Sequence, residues 1–325
     1  MNFRLRDFDY ALPPELIAQR PLPRREHSRM MVLRRDAQTI EHRKFTDLPK
    51  LLAPGDLFVL NDTRVVAARK FSDDGAIEFL FIERLGPLRW KCLAKPGRKI
   101  RVGATFEIDN VTARVEEILG EGERVISLSD DIDLYAGGSM PLPPYLHRES
   151  DANDETRYQT VYAQTPGAIA APTAGLHFTQ EILNALPHTF VTLHVGTGTF
   201  RPVHSEDIRE HHMHPERFSI SAEAAAKIDK RRVVAGGTTS VRVLESARRE
   251  NGKLIAQTGT TDIFIYPPYK FQHVDLLFTN FHLPRSTLLM LVSAFAGREF
   301  LLKAYEEAIR ERYRFYSYGD CMLIL

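Results

Sequence analysis

The stretch RVVAGGTTSVRVLESARRE, residues 232–250, indicates the fold class. Its apolar start predicts a short buried strand over residues 232–235, and GGTTS, residues 236–240, then predicts a tight turn. The residues from 241 to 250 predict a helix. A strand that passes through a glycine turn into a helix is typical of α/β domains with mostly parallel sheets.

Strands and helices alternate on both sides of this stretch. We expect short strands near residues 29–33 and 57–60 as well. The other elements that the pattern predicts are helices over residues 179–187, 222–229, 287–296 and 299–312, and strands over residues 190–195, 261–266 and 276–279. The sequence therefore predicts a mostly parallel α/β domain built from both ends of the chain.

The middle of the chain has a different pattern, in which short apolar segments are separated by glycines. In VTARVEE, residues 111–117, apolar and polar residues alternate, as they do in a half-buried strand. Five or six such strands with glycine turns predict a small barrel or sandwich. We expect an α/β domain of residues 1–61 and 151–325, interrupted by an all-β domain of residues 62–150.

Composition supports this layout and excludes several classes of protein. The chain of 325 residues is longer than the ~250–300 residues at which single cores stop growing. Its net charge of +1 argues against a strongly cationic nucleic-acid coat, although a local basic patch remains compatible. The two cysteines exclude a disulfide framework and a cysteine-rich metal site. With no apolar signal segment, we expect a soluble cytoplasmic protein.

Three histidines lie in glycine- and threonine-rich segments, His177 in APTAGLHFT and both His194 and His204 in VTLHVGTGTFRPVH. Imidazoles titrate near neutral pH, and glycines let the backbone approach a ligand closely. Arg201 replaces the third glycine of a dinucleotide fingerprint, so a conventional nucleotide-binding fold is not expected. The glycines form either a strand-end turn or part of a polar site, and we place the chemistry here.

The residues after the predicted strand 232–235 have the features of an anion-binding site. Thr238, Thr239 and Ser240 precede the helix that carries Arg242, and free N–H groups at a helix start favour a carboxylate or phosphate. A guanidinium adds a bidentate contact. Simple N-capping by Ser240 or Thr239 explains the pattern equally well, and the two interpretations are compatible.

Two further polar segments follow predicted strands. NDTR, residues 61–64, forms either an Asx turn or a polar cluster that faces a cleft between domains. In TNFHLP, residues 279–284, Asn280 and His282 either contact a ligand or satisfy the backbone of a turn. Both interpretations stay open for both segments.

A cluster of histidines in HHMHPE, residues 211–216, suggests zinc. The spacing differs from that of the helical HExxH motif, and Pro215 argues against a continuous helix. We therefore expect no metal site. The aromatic and basic run of residues 313–320 is typical either of base stacking or of a core.

Nine long segments follow one another along nearly the whole chain. They are FDYALPPELIAQ from Phe8, GDLFVLNDTRVVAAR from Gly55, PLPPYLHR from Pro141, YQTVYA from Tyr158, AAPTAGLHFT from Ala170, TLHVGTGTFRPV from Thr192, GTTSVRVLE from Gly237, TNFHLPRSTLLMLVSAFAG from Thr279 and YRFYSYGDCMLI from Tyr313. In these segments the chain resembles one family, the S-adenosylmethionine:tRNA ribosyltransferase-isomerases of queuosine biosynthesis.

This resemblance implies transfer and isomerisation of the ribosyl part of S-adenosylmethionine onto 7-aminomethyl-7-deazaguanine at the tRNA wobble position. The product is epoxyqueuosine-tRNA, and adenine and methionine leave. S-adenosylmethionine is then a consumed substrate, and we expect no true cofactor, no membrane partner and a monomer. The family fold is an α/β domain interrupted by an antiparallel β-barrel.

The implied chemistry needs a base for the proton on the 5′ carbon beside the sulfonium, and an acid for the departing adenine. His194, His177 and His282 are the candidates for proton transfer, with Asp62 as an alternative base. The substrate-binding candidates are Asn61 and Arg64 for ribose or adenine, Arg201, Arg242, Thr238, Thr239 and Ser240 for the methionine carboxylate, and Gly196, Gly198, Thr199 and Asn280 without an assigned group.

Two departures from the family pattern affect this expectation. Residues 71–75 are short and acidic where the family has a longer loop with glycine and lysine, and Pro268 stands where glycine is common. We place a basic RNA-binding face on residues 91, 95, 98, 99 and 101. The competing hypotheses are a metallohydrolase that uses His211, His212 and His214, and a non-catalytic RNA-binding module.

Overall fold

The computed structural model describes residues 3–196, 198, 203 and 205–325, without the side chains of Lys99 and Glu121. The chain forms two compact units. Unit 1 consists of Met1–Arg64 and Thr156–Leu325, and unit 2 of Val65–Glu155. The unit boundaries fall at 64/65 and 155/156, against the domain boundaries of 61/62 and 150/151 that we expected.

The strands and helices of the described residues are as follows. The strands up to residue 128 are β1 (Arg29–Arg34), β2 (Thr39–Lys44), β3 (Asp56–Asn61), β4 (Thr63–Val65), β5 (Arg69–Phe71), β6 (Glu78–Arg84), β7 (Arg89–Lys95), β8 (Thr105–Ile108), β9 (Val111–Ile118) and β10 (Glu123–Leu128). The later strands are β11 (Thr165–Ala168), β12 (His188–Leu193), β13 (Glu216–Ile220), β14 (Arg232–Gly236), β15 (Arg249–Glu250), β16 (Lys253–Leu254), β17 (Gln257–Thr261), β18 (Leu276–Asn280) and β19 (Cys321–Ile324).

The α-helices are α1 (Leu48–Leu51), α2 (Ala152–Arg157), α3 (Gln180–Asn184), α4 (Ala222–Ile228), α5 (Thr238–Ser246), α6 (Thr287–Ala296) and α7 (Arg298–Arg310). Short 3₁₀ helices cover Leu5–Phe8, Pro14–Leu16, Arg25–His27, Phe45–Asp47, Gly97–Lys99, Gly120–Gly122, Thr173–His177 and Ile208–Glu210. None of the helices in the described ranges has both the length and the apolar character that crossing a bilayer requires.

Unit 1 contains a nine-stranded sheet in the order β17-β13-β12-β3-β14-β18-β19-β1-β2. The four central strands β12, β3, β14 and β18 are parallel to one another. Strand β1 is also parallel to β19, whereas the other four pairings are antiparallel. The sheet is therefore mixed, and the expectation of a mostly parallel sheet is correct for its centre only.

The central strands are apolar because both faces of the sheet are covered. Every residue of β3 and β18 is buried. On one face, Phe58 and Phe278 pack against Phe45 and Phe178. On the other face, a larger core includes residues of helices α4 to α7. These two cores hold the parallel strands in register.

Several boundaries differ from the sequence-based predictions. The strand predicted over residues 261–266 lies at Gln257–Thr261, where it pairs with β13. Helix α5 begins at Thr238, three residues before the predicted start at 241. Helix α3 is capped as the sequence predicts, since the Thr179 hydroxyl accepts a hydrogen bond from the backbone of Ile182 at 3.3 Å.

Unit 2 contains a six-stranded antiparallel sheet in the order β5-β6-β7-β10-β9-β8. Its buried face encloses a core that includes Phe79, Phe81 and Trp90. The sheet curls, because the backbone N–H of Asp73, just after β5, donates to the carbonyl of Glu107 in β8 at 2.8 Å. The two edge strands thus approach each other at one end.

Candidate active site

Polar residues of unit 1 collect at one edge of the nine-stranded sheet. The carboxyl ends of β12, β3, β14 and β18 share that edge because these strands are parallel. The amino ends of β13 and β1 reach it as well, since both strands run in the opposite direction. In open α/β sheets, ligands bind outside the carboxyl ends of the parallel strands.

His194 follows β12 at this edge and is half-buried. Its Nδ1 lies 2.9 Å from the hydroxyl of Thr63, and that hydroxyl also lies within 3.4 Å of the carbonyl oxygen of Thr165. A carbonyl can only accept, so a Thr63 hydroxyl that donates to Thr165 must accept from Nδ1–H. In that arrangement, Nε2 of His194 is unprotonated.

The surroundings of His194 keep its ring neutral and in place. Burial, with a smaller contribution from the positive charge of Arg217, lowers the pKa of His194 below its ordinary value. A Cβ built on Gly167 would lie 3.0 Å from Nδ1 and Cε1 of the ring. Glycine at position 167 therefore leaves room for the ring against the backbone.

Asn61 joins the ends of β3 and β12. Its Nδ2 donates to the carbonyl of Leu193 at 3.0 Å, and its Oδ1 accepts from the backbone N–H of Leu193 at 2.9 Å. The same oxygen accepts from the N–H of Thr63 at 3.2 Å. The fully buried amide therefore positions Asp62, Thr63 and His194.

Asp62 opens onto a groove of about 330 Å³ that runs along β12. Its Oδ1 accepts a hydrogen bond from the Thr192 hydroxyl at 2.6 Å. Burial raises the pKa of the Asp62 carboxyl, and the Thr192 hydrogen bond opposes part of that effect. The groove is also lined by residues with hydroxyl side chains, namely Thr192, Ser219 and Ser221.

Arg242 and Glu216 form a buried ion pair beside His194. The second carboxylate oxygen of Glu216 accepts from the backbone N–H of Gly196 at 2.7 Å. Arg242 also contacts the carbonyl of Thr261 at 3.4 Å. The pair thus connects α5 with the first glycine after β12, and it neutralises the guanidinium.

His177 lies on the far side of the same edge, where it is buried. Its Nε2 lies 3.0 Å from Oδ1 of Asn280, and its Nδ1 lies 2.7 Å from the Ser28 hydroxyl. Nδ2 of Asn280 donates to the carbonyls of Tyr316 and Ser317, so its oxygen must face the imidazole and Nε2 carries the proton. Burial lowers the pKa of His177 to about 4.

His282 lies deeper in unit 1. Its Nε2 lies 2.9 Å from the Thr279 hydroxyl, and its backbone groups bind the hydroxyls of Tyr10 and Tyr305. Burial lowers the pKa of His282 to about 3. The ring is therefore neutral at physiological pH.

Comparison with known proteins identifies the family of the chain. The family model described as "Queuosine biosynthesis protein" matches residues 5–324. The S-adenosylmethionine:tRNA ribosyltransferase-isomerase of Clostridioides difficile is 48% identical over 99% of each chain. The enzyme of that name from Carboxydothermus hydrogenoformans is 50% identical, over 99% of this chain and 100% of the other.

The chain belongs to the queuosine biosynthesis protein family. The resemblance to its ribosyltransferase-isomerases is thereby confirmed. The crystal structure of S-adenosylmethionine tRNA ribosyltransferase from Thermotoga maritima is similar, with a TM-score of 0.57 and 41% identity. That match covers 98% of this chain and all of the other.

The candidate proton-transfer residues lie at two separate places along this edge of the sheet. His194 and Asp62 lie at the ends of adjacent strands β12 and β3, one residue beyond each. His177 contacts Asn280 at the end of β18, three strands from β12, which corresponds to roughly 14 Å at ~4.8 Å per strand. The candidate imidazoles thus share an edge of the sheet but belong to separate hydrogen-bond networks.

Four candidates, His177, His282, Arg242 and Asn280, have contacts within the protein that bear on the predicted roles. His177 and His282 are buried and neutral, with low pKa values, so they are poor proton donors at neutral pH. Arg242 is paired with Glu216, while its buried Nε–H has no acceptor among the described residues. The amide of Asn280 bonds to His177 and to two backbone carbonyls. The substrate-binding roles of both residues stay predictions.

Other candidates for substrate binding also have hydrogen bonds within the protein. The amide of Asn61 bonds to the backbone of Leu193, and the N–H of Gly196 bonds to Glu216. Thr238, Thr239 and Ser240 are buried in the first turn of α5. The Ser240 hydroxyl donates to the Gly236 carbonyl at 3.0 Å, and the buried Thr239 hydroxyl has no partner among the described residues. A carboxylate at this turn remains a prediction.

The remaining predicted residues of the site are Arg64, Gly198, Thr199, Arg201 and His204. Arg64 is exposed. Thr199, Arg201 and His204 lie outside the described residues. A Cβ on Gly198 would lie 2.9 Å from Cδ2 of His214, so this glycine lies against an imidazole ring.

The cluster of histidines at residues 211–214 has contacts of its own. The ring of His211 packs edge-on against Phe264, with 5.2 Å between centroids. Within the described part of the chain, His, Cys, Asp and Glu side chains form no group of three that could hold a metal ion.

Several residues of the site were missed from the sequence. Thr63 and Gly167 orient His194, Glu216 binds Arg242, and Ser28 binds His177. Thr63 lies in NDTR, so its position beside Asp62 was an available signal. Glu216 was interpreted only as part of a histidine-rich loop, and its pairing with Arg242 depends on the antiparallel pairing of β13 with β12.

The buried ion pair makes a prediction about stability. Glu216→Gln leaves the Arg242 guanidinium buried without a counter-charge, and removal of one partner of a buried pair typically costs about 3–5 kcal/mol. We expect the free energy of unfolding, measured by urea denaturation, to fall by about that amount. Glu306→Gln, at an exposed position of α7, is the matched control and should change it by less than about 0.5 kcal/mol. Equal effects would contradict a buried pair.

The buried imidazoles predict the pH dependence of stability. The pKa values of His177 and His282 are lower in the folded chain than the ordinary 6.5, so the unfolded chain binds more protons as pH falls from 6.5 towards 4. The free energy of unfolding should decrease over that interval. His282→Gln should reduce the slope by up to about 1.4 kcal/mol per pH unit. His212→Gln, at an exposed position, is the control; an unchanged slope in the His282 variant would refute its burial as a neutral ring.

Proposed function

We propose that this chain transfers and isomerises the ribosyl group of S-adenosylmethionine onto 7-aminomethyl-7-deazaguanine in tRNA, with release of adenine and methionine. The observation that carries the proposal is the similarity, over 99% of the chain, to enzymes named S-adenosylmethionine:tRNA ribosyltransferase-isomerase. S-adenosylmethionine is a consumed substrate in this reaction, and the chain needs no further cofactor for it.

His194 is the proposed base. Its low pKa keeps the imidazole neutral at physiological pH, and the contact of Nδ1 with Thr63 leaves Nε2 as the acceptor. The sulfonium acidifies the 5′ carbon of the substrate, and Nε2 takes that proton while the electron pair stays on the carbon. A base that is neutral near the working pH is effective in such a step.

Asp62 is the second group of the proposed site. Its raised pKa and its contact with Thr192 suit a carboxyl that binds hydroxyl groups or exchanges a proton. Because the groove beside it is lined by residues with hydroxyl side chains, we assign the ribosyl group to this groove. The first turn of α5 is the proposed place of the methionine carboxylate.

Unit 2 is the proposed inserted β-barrel domain, with the curl of its antiparallel sheet as support. The acidic loop of residues 71–75 has a structural use there, because the Asp73 carboxylate accepts from the backbone N–H groups of Asp109 and Asn110 at 2.8 and 3.0 Å. In the proposed RNA-binding face, Lys95, Arg98 and Arg101 are exposed, whereas Lys91 is half-buried with its Nζ 3.3 Å from a carboxylate oxygen of Glu83. We further propose a cytoplasmic monomer, in keeping with a tRNA substrate.

The test of the proposed base is His194→Asn, which keeps a polar side chain but removes the proton acceptor. We expect adenine release and epoxyqueuosine formation to fall by about 10²–10⁴-fold, since general bases typically contribute that much. Incubation with S-adenosylmethionine and precursor-modified tRNA, followed by mass analysis of adenine and of the nucleosides, measures both products.

The control is His212→Asn, at an exposed position outside the proposed site. Activity that survives in this variant and in the presence of a chelator would remove the metallohydrolase alternative. Near-normal adenine release from a folded His194→Asn protein would refute His194 as the base. Binding of tRNA without adenine release by the unaltered chain would favour the RNA-binding module instead.

A further inference from the structure

Two arginines line a small notch on the His177 side of the sheet edge. The notch has a volume of about 20 Å³, and the residues around it include Arg25, Arg157, Ser28, His177 and Gly319. About 10–15 Å³ of such space holds one water molecule, so the notch admits only the tip of a larger ligand. The lining brings together segments from both ends of the chain.

The contacts of these arginines with the protein are to backbone carbonyls. Arg25 donates to the carbonyl of Gln159 at 3.3 Å. Arg157 donates to the carbonyls of Leu22 and Pro23 at 2.7 and 3.0 Å. Across the described ranges, neither guanidinium forms an ion pair. A carboxylate near Arg25 is that of Glu26, and it binds Nε of Arg24 at 2.7 Å.

The two positive charges are close enough to affect each other. Burial lowers the pKa of Arg25, and the charge of Arg157 lowers it further. The buried Nε–H of Arg157 has no acceptor in the described part of the chain. A buried donor without a partner is costly.

His177 lines the notch without adding charge, and both of its ring nitrogens are bonded within the protein, to Ser28 and Asn280. Its ring is held neutral by burial, with Nε2–H on Asn280. The hydrogen bond with Asn280 opposes this lowering of the His177 pKa, and the positive charges of Arg25 and Arg314 add to it. The notch therefore offers guanidinium donors and a positive potential in a partly dehydrated place, which are the conditions that favour an oxyanion.

We propose that this notch is an oxyanion subsite, in which the guanidinium groups of Arg25 and Arg157 receive a phosphate or carboxylate group of a substrate. The identity of the ligand rests on the proposed function, which supplies two sources of this chemistry. One is a phosphodiester of the tRNA, and the other is the carboxylate of S-adenosylmethionine, which in that case would lie in the notch instead of at the first turn of α5. The existence of the subsite does not depend on that function.

The first experiment tests the subsite with inorganic phosphate. Phosphate should raise the thermal unfolding midpoint of the unaltered chain, because a ligand that binds only the folded state stabilises it. It should not do so in Arg25→Gln/Arg157→Gln. The matched control is Lys230→Gln/Arg231→Gln, which removes the same charge from positions just before β14, outside the notch, and should keep the effect. An equal phosphate effect in all three proteins would overturn the proposal.

The second experiment identifies the source. S-adenosylmethionine affinity is measured by calorimetry without tRNA, and tRNA affinity by filter binding over a range of salt concentrations. We expect one Kd of the double variant to rise at least tenfold while the other stays within twofold. A carboxylate ligand predicts weaker binding of S-adenosylmethionine. A phosphodiester predicts weaker binding of tRNA, and a salt slope that falls by about 1 for each phosphate that an arginine no longer neutralises.

The outcomes separate this proposal from the proposed function. A phosphate effect that depends on the arginines, with both Kd values unchanged, would mean an adventitious ion only and would overturn the substrate subsite. A raised Kd in the double variant, without any ribosyl transfer by the unaltered chain, would leave the subsite standing and refute the activity. If the double variant fails to fold, Arg25→Lys and Arg157→Lys keep the charge but remove the planar fork, and each should still weaken the same binding by several-fold.

Discussion

The parallel alignment of four central strands is the constraint on which the rest of the site depends. Strands β12, β3, β14 and β18 run in one direction, so all four end at the same edge of the sheet. Their registers are held by cores on both faces, and the buried amide of Asn61 links two of them at the edge itself. Polar groups from distant parts of the sequence meet there as a consequence.

The titratable groups at this edge differ in burial and in hydrogen bonding. The deeply buried rings of His177 and His282 are neutral and hold neighbouring segments through hydrogen bonds. His194 is half-buried and Asp62 borders the groove along β12, and desolvation shifts the pKa of each towards the uncharged form. Arg242, in contrast, is buried in an ion pair with Glu216.

Much of the fold follows from local sequence patterns, as α6 illustrates. The apolar run after Ser286 predicts that helix, and the structure begins and ends it at Thr287 and Ala296 as expected. Strands β13 and β19 were not predicted, because ERFSI and CMLI are short and follow segments with other strong signals. The antiparallel edges of the sheet, and with them the departure from a mostly parallel arrangement, were missed for that reason.

The choice of candidate site residues from the sequence rested on residue types that themselves indicate chemistry. His194 and Asp62 were chosen because they follow predicted strands in polar turns, and their roles stay predictions. Arg25 and Arg157 lie in a proline-punctuated arm and at the end of a polar linker, so nothing local separated them from surface arginines. Whether a polar side chain is free or bonded depends on contacts between distant strands, and the commitment of Arg242 to Glu216 is the clearest example.

The central claim is that substrate binds outside the carboxyl ends of the parallel strands, and a crystal structure with S-adenosylmethionine bound tests it most directly. The account predicts the 5′ carbon of the ligand at about 3–3.5 Å from Nε2 of His194, with the ribose beside Asp62. A ligand at the opposite edge, for example in the 150 Å³ cavity beside Pro54, Phe58 and Pro187, would contradict it.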